Sequence, residues 1–136
     1  MNDFFSVIFN WLSSFYDQDW DNFLYEQGYY SYLGIILLVV FALVASIFYF
    51  APTVVFNGCK KWFIFMGIGA VLTFAIALGV SDFWSNNATQ EELPTIDIMN
   101  EIGTSFISVF WGVVFFCILS AIFRKISTHN RNVPFN

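Results

Sequence analysis

Three long stretches of apolar residues dominate the pattern of this chain, and polar or charged residues bound each of them. The middle stretch, residues 62–81, has no ionisable side chain and lies between Lys60-Lys61 and Asp82. At about 1.5 Å per residue it would form about 30 Å of helix, the thickness of a bilayer core. We therefore predict three transmembrane helices. They occupy residues 31–51, 62–80 and 102–123.

Residues 1–30 carry a shorter pattern, in which apolar residues recur at helical spacing. This spacing predicts an amphipathic helix of about four turns, too short to span a bilayer and suited to its interface. Its polar face carries acids and no Lys or Arg, so apolar burial or protein contacts would have to hold it. The predicted interfacial anchors, here and at the ends of the second span, are Phe4, Ile8, Trp11, Leu12, Phe15, Trp62 and Trp84. The whole pattern predicts an all-α integral membrane protein with three transmembrane helices and an N-terminal amphipathic interfacial helix.

Charge is divided between the segments that flank the predicted spans. All ten acidic residues lie in residues 1–30 and 81–101. The five basic residues fall in the loop at 52–61 and the tail at 124–136. They are Lys60, Lys61, Arg124, Lys125 and Arg131. Because basic residues favour the cytoplasmic side, this partition predicts an outside N-terminus and a cytoplasmic C-terminus, in a bacterial inner membrane. The acidic loop is expected to open with a turn at residues 85–87.

Composition narrows the classes of function. Hydrophobic residues make up 58% of the chain and charged residues 11%, so the bilayer must act as the solvent. Five basic residues leave no footprint for nucleic acid. Two cysteines without CxxC spacing and a single histidine make no metal constellation. No acidic residue, basic residue or histidine lies within the predicted spans, which argues against ion-coupled transport.

The acids of the second loop are the remaining chemical candidates. Glu91, Glu92 and Asp97 could form a divalent-ion site or an acid/base pair, but a solvated acidic loop is the simpler interpretation. We therefore expect neither enzymatic activity nor a cofactor, and no small-molecule substrate is evident.

Small residues recur at helical spacing in every predicted span. Such residues let helix backbones approach closely in lipid. Two interpretations stay open, namely self-association and packing of the three helices within one subunit. The predicted packing residues are Ala42, Ser46, Gly67, Gly69, Ala75, Gly79, Thr104, Ser108 and Gly112.

Five short features follow one another along the chain. They are the aromatic amphipathic residues 4–15, the basic pair Lys60-Lys61, the glycines of Gly67-Ile68-Gly69, the dipeptide Leu93-Pro94, and a last span from Gly103 to Arg124. In this order they resemble the minor tip coat proteins of filamentous phages, and the resemblance implies a structural subunit that waits in the host inner membrane and enters the virion during assembly. The three-span topology and the Arg124-Lys125 end also resemble class I holins.

These observations favour a non-enzymatic structural or assembly subunit of a membrane-embedded complex. The alternative is a holin-like or effector-like protein that permeabilises the membrane. A third possibility is an immunity-type membrane protein or an accessory subunit of a larger complex. The expected partners are the lipid bilayer and either a second copy of the chain or another membrane protein.

Overall fold

The protein is built from α-helices. The computed structural model describes residues 1–11, 16–50, 59–89 and 97–126. Within these ranges 92% of the residues are helical and no strand is present. The helices are α1 (Asn2–Asn10), α2 (Gln18–Glu26), α3 (Tyr29–Phe50), α4 (Cys59–Asn87) and α5 (Ile98–Ile126). Helices α3, α4 and α5 are each long and apolar enough to span a bilayer, so the predicted all-α fold with three transmembrane helices is confirmed.

Helices α3, α4 and α5 form a bundle in which each contacts the other two. Ser85 near the end of α4 contacts Glu101 at the start of α5, and Trp62 at the start of α4 contacts Ser120 near the end of α5. Helix α4 therefore runs antiparallel to α5. We call the end of the bundle near Ser85 and Glu101 the acidic end, and the end near Lys60 the basic end, after the charges described at each.

The second and third spans are longer than the hydropathy pattern predicts. Helix α4 continues to Asn87, so the turn expected at residues 85–87 is wrong, and these residues form the last turn of the helix. The Asn86 amide donates to the Asp82 carbonyl at 2.8 Å, and the Asn87 amide donates to the Phe83 carbonyl at 2.7 Å. The polar side chains of this last turn thus bond to carbonyls of their own helix, and α4 continues beyond its apolar stretch.

Two clusters of buried apolar residues hold the bundle together. The cluster at the acidic end includes Phe5, Trp20, Leu33, Ala77 and Ile107. The cluster at the basic end includes Phe41, Phe48, Trp62 and Phe116. The first cluster takes residues from all five helices, so the N-terminal segment is part of the packed core.

Phe41 marks the closest packing of the three spans. Its ring lies against Gly69 of α4 and Gly112 of α5. A Cβ atom at Gly69 would lie 2.7 Å from Phe41 Cε1, and one at Gly112 would overlap the ring. Glycine at both positions lets α4 and α5 close around a large side chain of α3.

The N-terminal segment folds as two short helices that pack on the acidic half of the bundle. Helix α1 contacts α2, α3 and α5, and α2 also contacts α3. Gly28 has a φ of 72°, a conformation that glycine adopts readily, and it makes the corner between α2 and α3. The helix predicted to run for four turns is shorter, because α1 ends at Asn10. The predicted anchors Leu12 and Phe15 lie outside the described residues.

Candidate functional site

A line of polar residues runs along the buried face of α5. Asn100, Glu101, Thr104, Ser105 and Ser108 are each at most 4% exposed. The hydroxyls of the last three donate to backbone carbonyls four residues earlier, at 2.8 to 2.9 Å. Their hydrogen-bonding capacity is therefore largely used within the helix. This polar face is turned toward the neighbouring helices.

Glu101 is the buried acid of this line, with 3% of its surface exposed. The Ser85 hydroxyl donates to Glu101 Oε1 at 2.5 Å and joins α4 to α5 at the acidic end. In the described part of the chain, the basic residues lie at the opposite end of the bundle. A hydroxyl therefore serves as the described partner of this carboxyl group, and removing it would leave a buried acceptor without compensation.

Four hydrogen bonds attach the N-terminal segment to α5, and the longest runs from the Asn100 amide to Asp17 Oδ2 at 3.4 Å. The Trp20 indole donates to Thr104 Oγ1 at 2.8 Å, and the Asp17 backbone N–H donates to Asn100 Oδ1 at 3.0 Å. The Trp111 indole donates to the Ile8 carbonyl at 3.0 Å. The polar start of α5 is thus a docking surface for residues far away in the sequence. Sequence reasoning placed Asn100 in the acidic outer segment at residues 81–101 and missed this role.

Three tyrosines at the acidic end, Tyr16, Tyr25 and Tyr30, add polar contacts to the same region. The Tyr16 and Tyr30 hydroxyls are 3.0 Å apart, and the Tyr30 hydroxyl also donates to Asp21. Burial raises the pKa of Tyr16 to about 12, and the Asp21 carboxylate acts in the same direction. A hydrogen bond of 2.7 Å from Tyr25 to Asp3 raises the pKa of Tyr25. Tyr16 and Tyr25 therefore stay neutral at physiological pH and donate to oxygen acceptors.

Helix α4 has a second, uncovered face. In the most apolar part of α4, 17% of the residues are buried, compared with 44% in α3 and 28% in α5. Gly67, Ala75 and Gly79 are exposed there, and a Cβ atom at Gly67 or Gly79 would meet nothing within 4 Å. Val71 on the same surface is 69% exposed. A flat apolar strip of small residues thus lies on the outside of the bundle.

The buried face of α4 carries a different series of small residues. They recur every four positions as Gly69, Thr73, Ala77, Ser81 and Ser85. The hydroxyls of Thr73 and Ser81 have no hydrogen-bond partner among the described residues. Sequence reasoning found only Gly69 of this series, although the unbroken interval of four residues was a readable signal.

The structure separates the predicted packing residues into two groups. Gly69, Thr104, Ser108 and Gly112 are buried inside the bundle, and Ala42 and Ser46 are half-buried on α3. Gly67, Ala75 and Gly79 are exposed. Packing within the bundle therefore accounts for the buried residues. It does not account for the exposed Gly67, Ala75 and Gly79 of α4.

The predicted anchors also differ in their surroundings. Phe4 and Trp11 are 66% and 77% exposed, whereas Phe5 and Phe9 of α1 are the aromatic residues turned to the bundle. Trp84 stacks on Tyr29 with 4.0 Å between ring centroids. Trp62 is buried and its indole donates to Ser120 at 3.0 Å, so it also joins two spans.

The basic residues lie at the far ends of the spans. Lys60 and Lys61 are in the first turn of α4, and Arg124 and Lys125 are in the last turn of α5. Arg131 lies outside the described residues. Among the described residues, no three His, Cys, Asp or Glu side chains are grouped so that they could hold a metal ion. Glu91 and Glu92 also lie outside the described part of the chain.

Comparisons with known proteins found no relative of this chain. No protein-family profile, no curated protein and no solved structure matches the chain.

Proposed function

We propose that this protein is a non-enzymatic structural or assembly subunit of a membrane-embedded complex. The observation that carries the proposal is the uncovered face of α4 with Gly67, Ala75 and Gly79. In lipid, helices associate through close packing because the hydrophobic effect supplies little force between them. A face of small residues allows such an approach, and the described helices leave this one exposed.

The distribution of polar side chains supports assembly over pore formation. The hydroxyls of α5 bond to their own helix and lie on the inside of the bundle. Large apolar residues are exposed along the described spans, and they include Ile35, Val39, Leu43, Ile76, Phe106 and Ile122. A water-filled pore between copies would need polar groups on such a surface.

We infer a bacterial inner membrane with the acidic end outside and the basic end in the cytoplasm. Lys60, Lys61, Arg124 and Lys125 at one end of the described bundle support this orientation. Within the broader proposal, a virion minor coat protein stored in the host membrane is the specific candidate, and it rests on the resemblance of the sequence to phage tip proteins.

Crosslinking of the full chain in its native membrane tests the proposal. Gly79→Ile should weaken association by about 1–2 kcal/mol, the range for contacts between membrane helices, and the higher crosslinked bands should fade. Ala121→Ile, a matched change at an exposed small residue of α5, should leave the bands in place. If the higher crosslinked bands persist unchanged in Gly79→Ile, association does not run through the exposed face of α4, and the proposal loses its main support.

Membrane potential separates the two classes of function. A structural subunit expressed alone should leave the potential of the cell intact. Depolarisation by the wild-type protein, abolished by Gly79→Ile, would favour the holin-like alternative. Gly112 is unsuitable for this experiment, because it packs on Phe41 inside the bundle.

A further inference from the structure

A groove opens on the side of the bundle between α1, α3 and α5. It has a volume of about 290 Å³. Its walls include Phe5 and Ile8 of α1, Leu37 and Leu38 of α3, and Val114 and Ile118 of α5. Every residue that lines it is apolar or aromatic. A water molecule needs two to four polar partners to occupy a cavity. The side chains that line this groove are apolar or aromatic, so they favour a hydrocarbon occupant over water.

The groove exists because α1 is fixed beside the spans at a few points. The Phe5 ring occupies the place where Gly34 has no side chain. The Trp111 indole donates to the Ile8 carbonyl at 3.0 Å, so the polar atom of this wall residue is already bonded. These contacts hold α1 over the space between α3 and α5, and they leave a slot beneath it.

The depth of the groove decides which molecule reaches it. Leu37 lies about 12 Å along α3 from Tyr29, and Val114 lies about 24 Å along α5 from Ile98. Helix α5 is about 43 Å long, so the floor of the groove is near the middle of the span. Ile118 and Phe4 at its edges are 53% and 66% exposed. The groove is therefore continuous with the lipid-facing surface at the depth of hydrocarbon.

We propose that this groove binds one acyl chain of a bilayer phospholipid, held between α1 and the two spans. The chemistry of the walls selects a flexible hydrocarbon chain, and the roof formed by α1 separates this chain from the lipids that surround the rest of the bundle. The proposal does not depend on association through α4, which presents a different face.

Photolabelling in vesicles tests the site. The full chain is reconstituted in phosphatidylcholine that carries a diazirine at the middle of one acyl chain, and adducts are located by mass spectrometry. Residues of the groove should carry several-fold more adducts than exposed residues elsewhere, such as Ile47, which is 52% exposed. Equal labelling of the groove and Ile47 would overturn the proposal.

Substitutions that fill the groove provide the second arm. Val114→Phe and Ile118→Phe should each lower labelling of Leu37 and Leu38 several-fold. Val39→Phe is the matched control, since Val39 is 51% exposed on α3 and does not line the groove. Slow thiol reactivity of a cysteine placed at Ser6, which is 6% exposed, verifies that α1 stays docked in each variant. Groove labelling that survives both filling changes would refute the acyl-chain site.

Discussion

The ring of Phe41 lies between Gly69 and Gly112, and this arrangement sets how closely the three spans approach. Neither glycine is needed for a turn, because both are inside helices. Their value is the absence of a side chain on the face turned to α3. A single added carbon at Gly112 would overlap the ring, so the packing here leaves no room for a side chain.

Gly112→Ala should therefore lower the free energy of unfolding by about 1–3 kcal/mol, as expected for an overpacked core. Gly67→Ala is the matched control, because its Cβ would meet nothing within 4 Å. Unfolding by denaturing detergent, followed by circular dichroism, measures both. Phe41→Leu should recover part of the loss in the Gly112→Ala background. Equal stability of the two alanine variants would contradict the role of Phe41.

Ser85 and Ser81 lie one turn apart on the buried face of α4, but only Ser85 has an interhelical partner described, the Glu101 carboxyl at 2.5 Å. Ser85→Ala should cost about 1–3 kcal/mol, because it leaves a buried acceptor unsatisfied. Ser81→Ala removes a hydroxyl without a described partner and should be neutral or stabilising. The same unfolding assay compares them, and a larger loss for Ser81→Ala would show that the two roles are misassigned.

At the scale of the helix, α4 has two small-residue faces with different surroundings. The residues of the buried series at intervals of four are enclosed within the bundle, whereas Gly67, Ala75 and Gly79 are exposed on its outside. Hydropathy alone could predict the span, since any helix of this composition needs lipid around it. It could not predict which face turns inward, because that depends on where Phe41 and Glu101 lie on other helices.

The same limit applies to the N-terminal helix. The periodicity of apolar residues predicted an amphipathic helix with one apolar face. In the structure the apolar residues lie on two sides, since Phe5 and Phe9 are buried whereas Phe4 and Trp11 are exposed. In a membrane protein an apolar side chain can face lipid or protein, so the pattern does not distinguish them. Partners such as Gly34 and Trp111 become visible only when the chain is folded.

Docking of α1 should depend on the space at Gly34. A Cβ atom there would overlap the Phe5 ring, so Gly34→Ala should displace α1 while the three spans stay inserted. A cysteine placed at Ser6, which is 6% exposed, should react slowly with a thiol reagent in an otherwise cysteine-free chain. It should react faster in the Gly34→Ala background and remain slow with Gly67→Ala. Unchanged reactivity in all three would mean that Phe5 does not fix α1.

At the scale of the whole molecule, the bundle is polarised. The described acids lie at one end, together with the hydrogen bonds that join the N-terminal segment to α5. The described basic residues lie at the other end, where α4 begins and α5 finishes. This division was readable in the sequence because it depends only on the order of spans and charges. The contacts among the acidic-end residues were not, because they join positions more than eighty residues apart.

The polarity gives a direct test of orientation, since Cys59 is exposed at the basic end and Asn86 is exposed at the acidic end. With Cys117→Ala, Cys59 becomes the single thiol and should be spared by a membrane-impermeant reagent in intact cells. In a Cys59→Ser, Cys117→Ala background, Asn86→Cys should be labelled, because the positive-inside rule places the acidic end outside. Permeabilised cells supply the control, in which both thiols should react. Labelling of Cys59 alone in intact cells would reverse the orientation, and with it the side on which an assembly partner would meet the N-terminal segment.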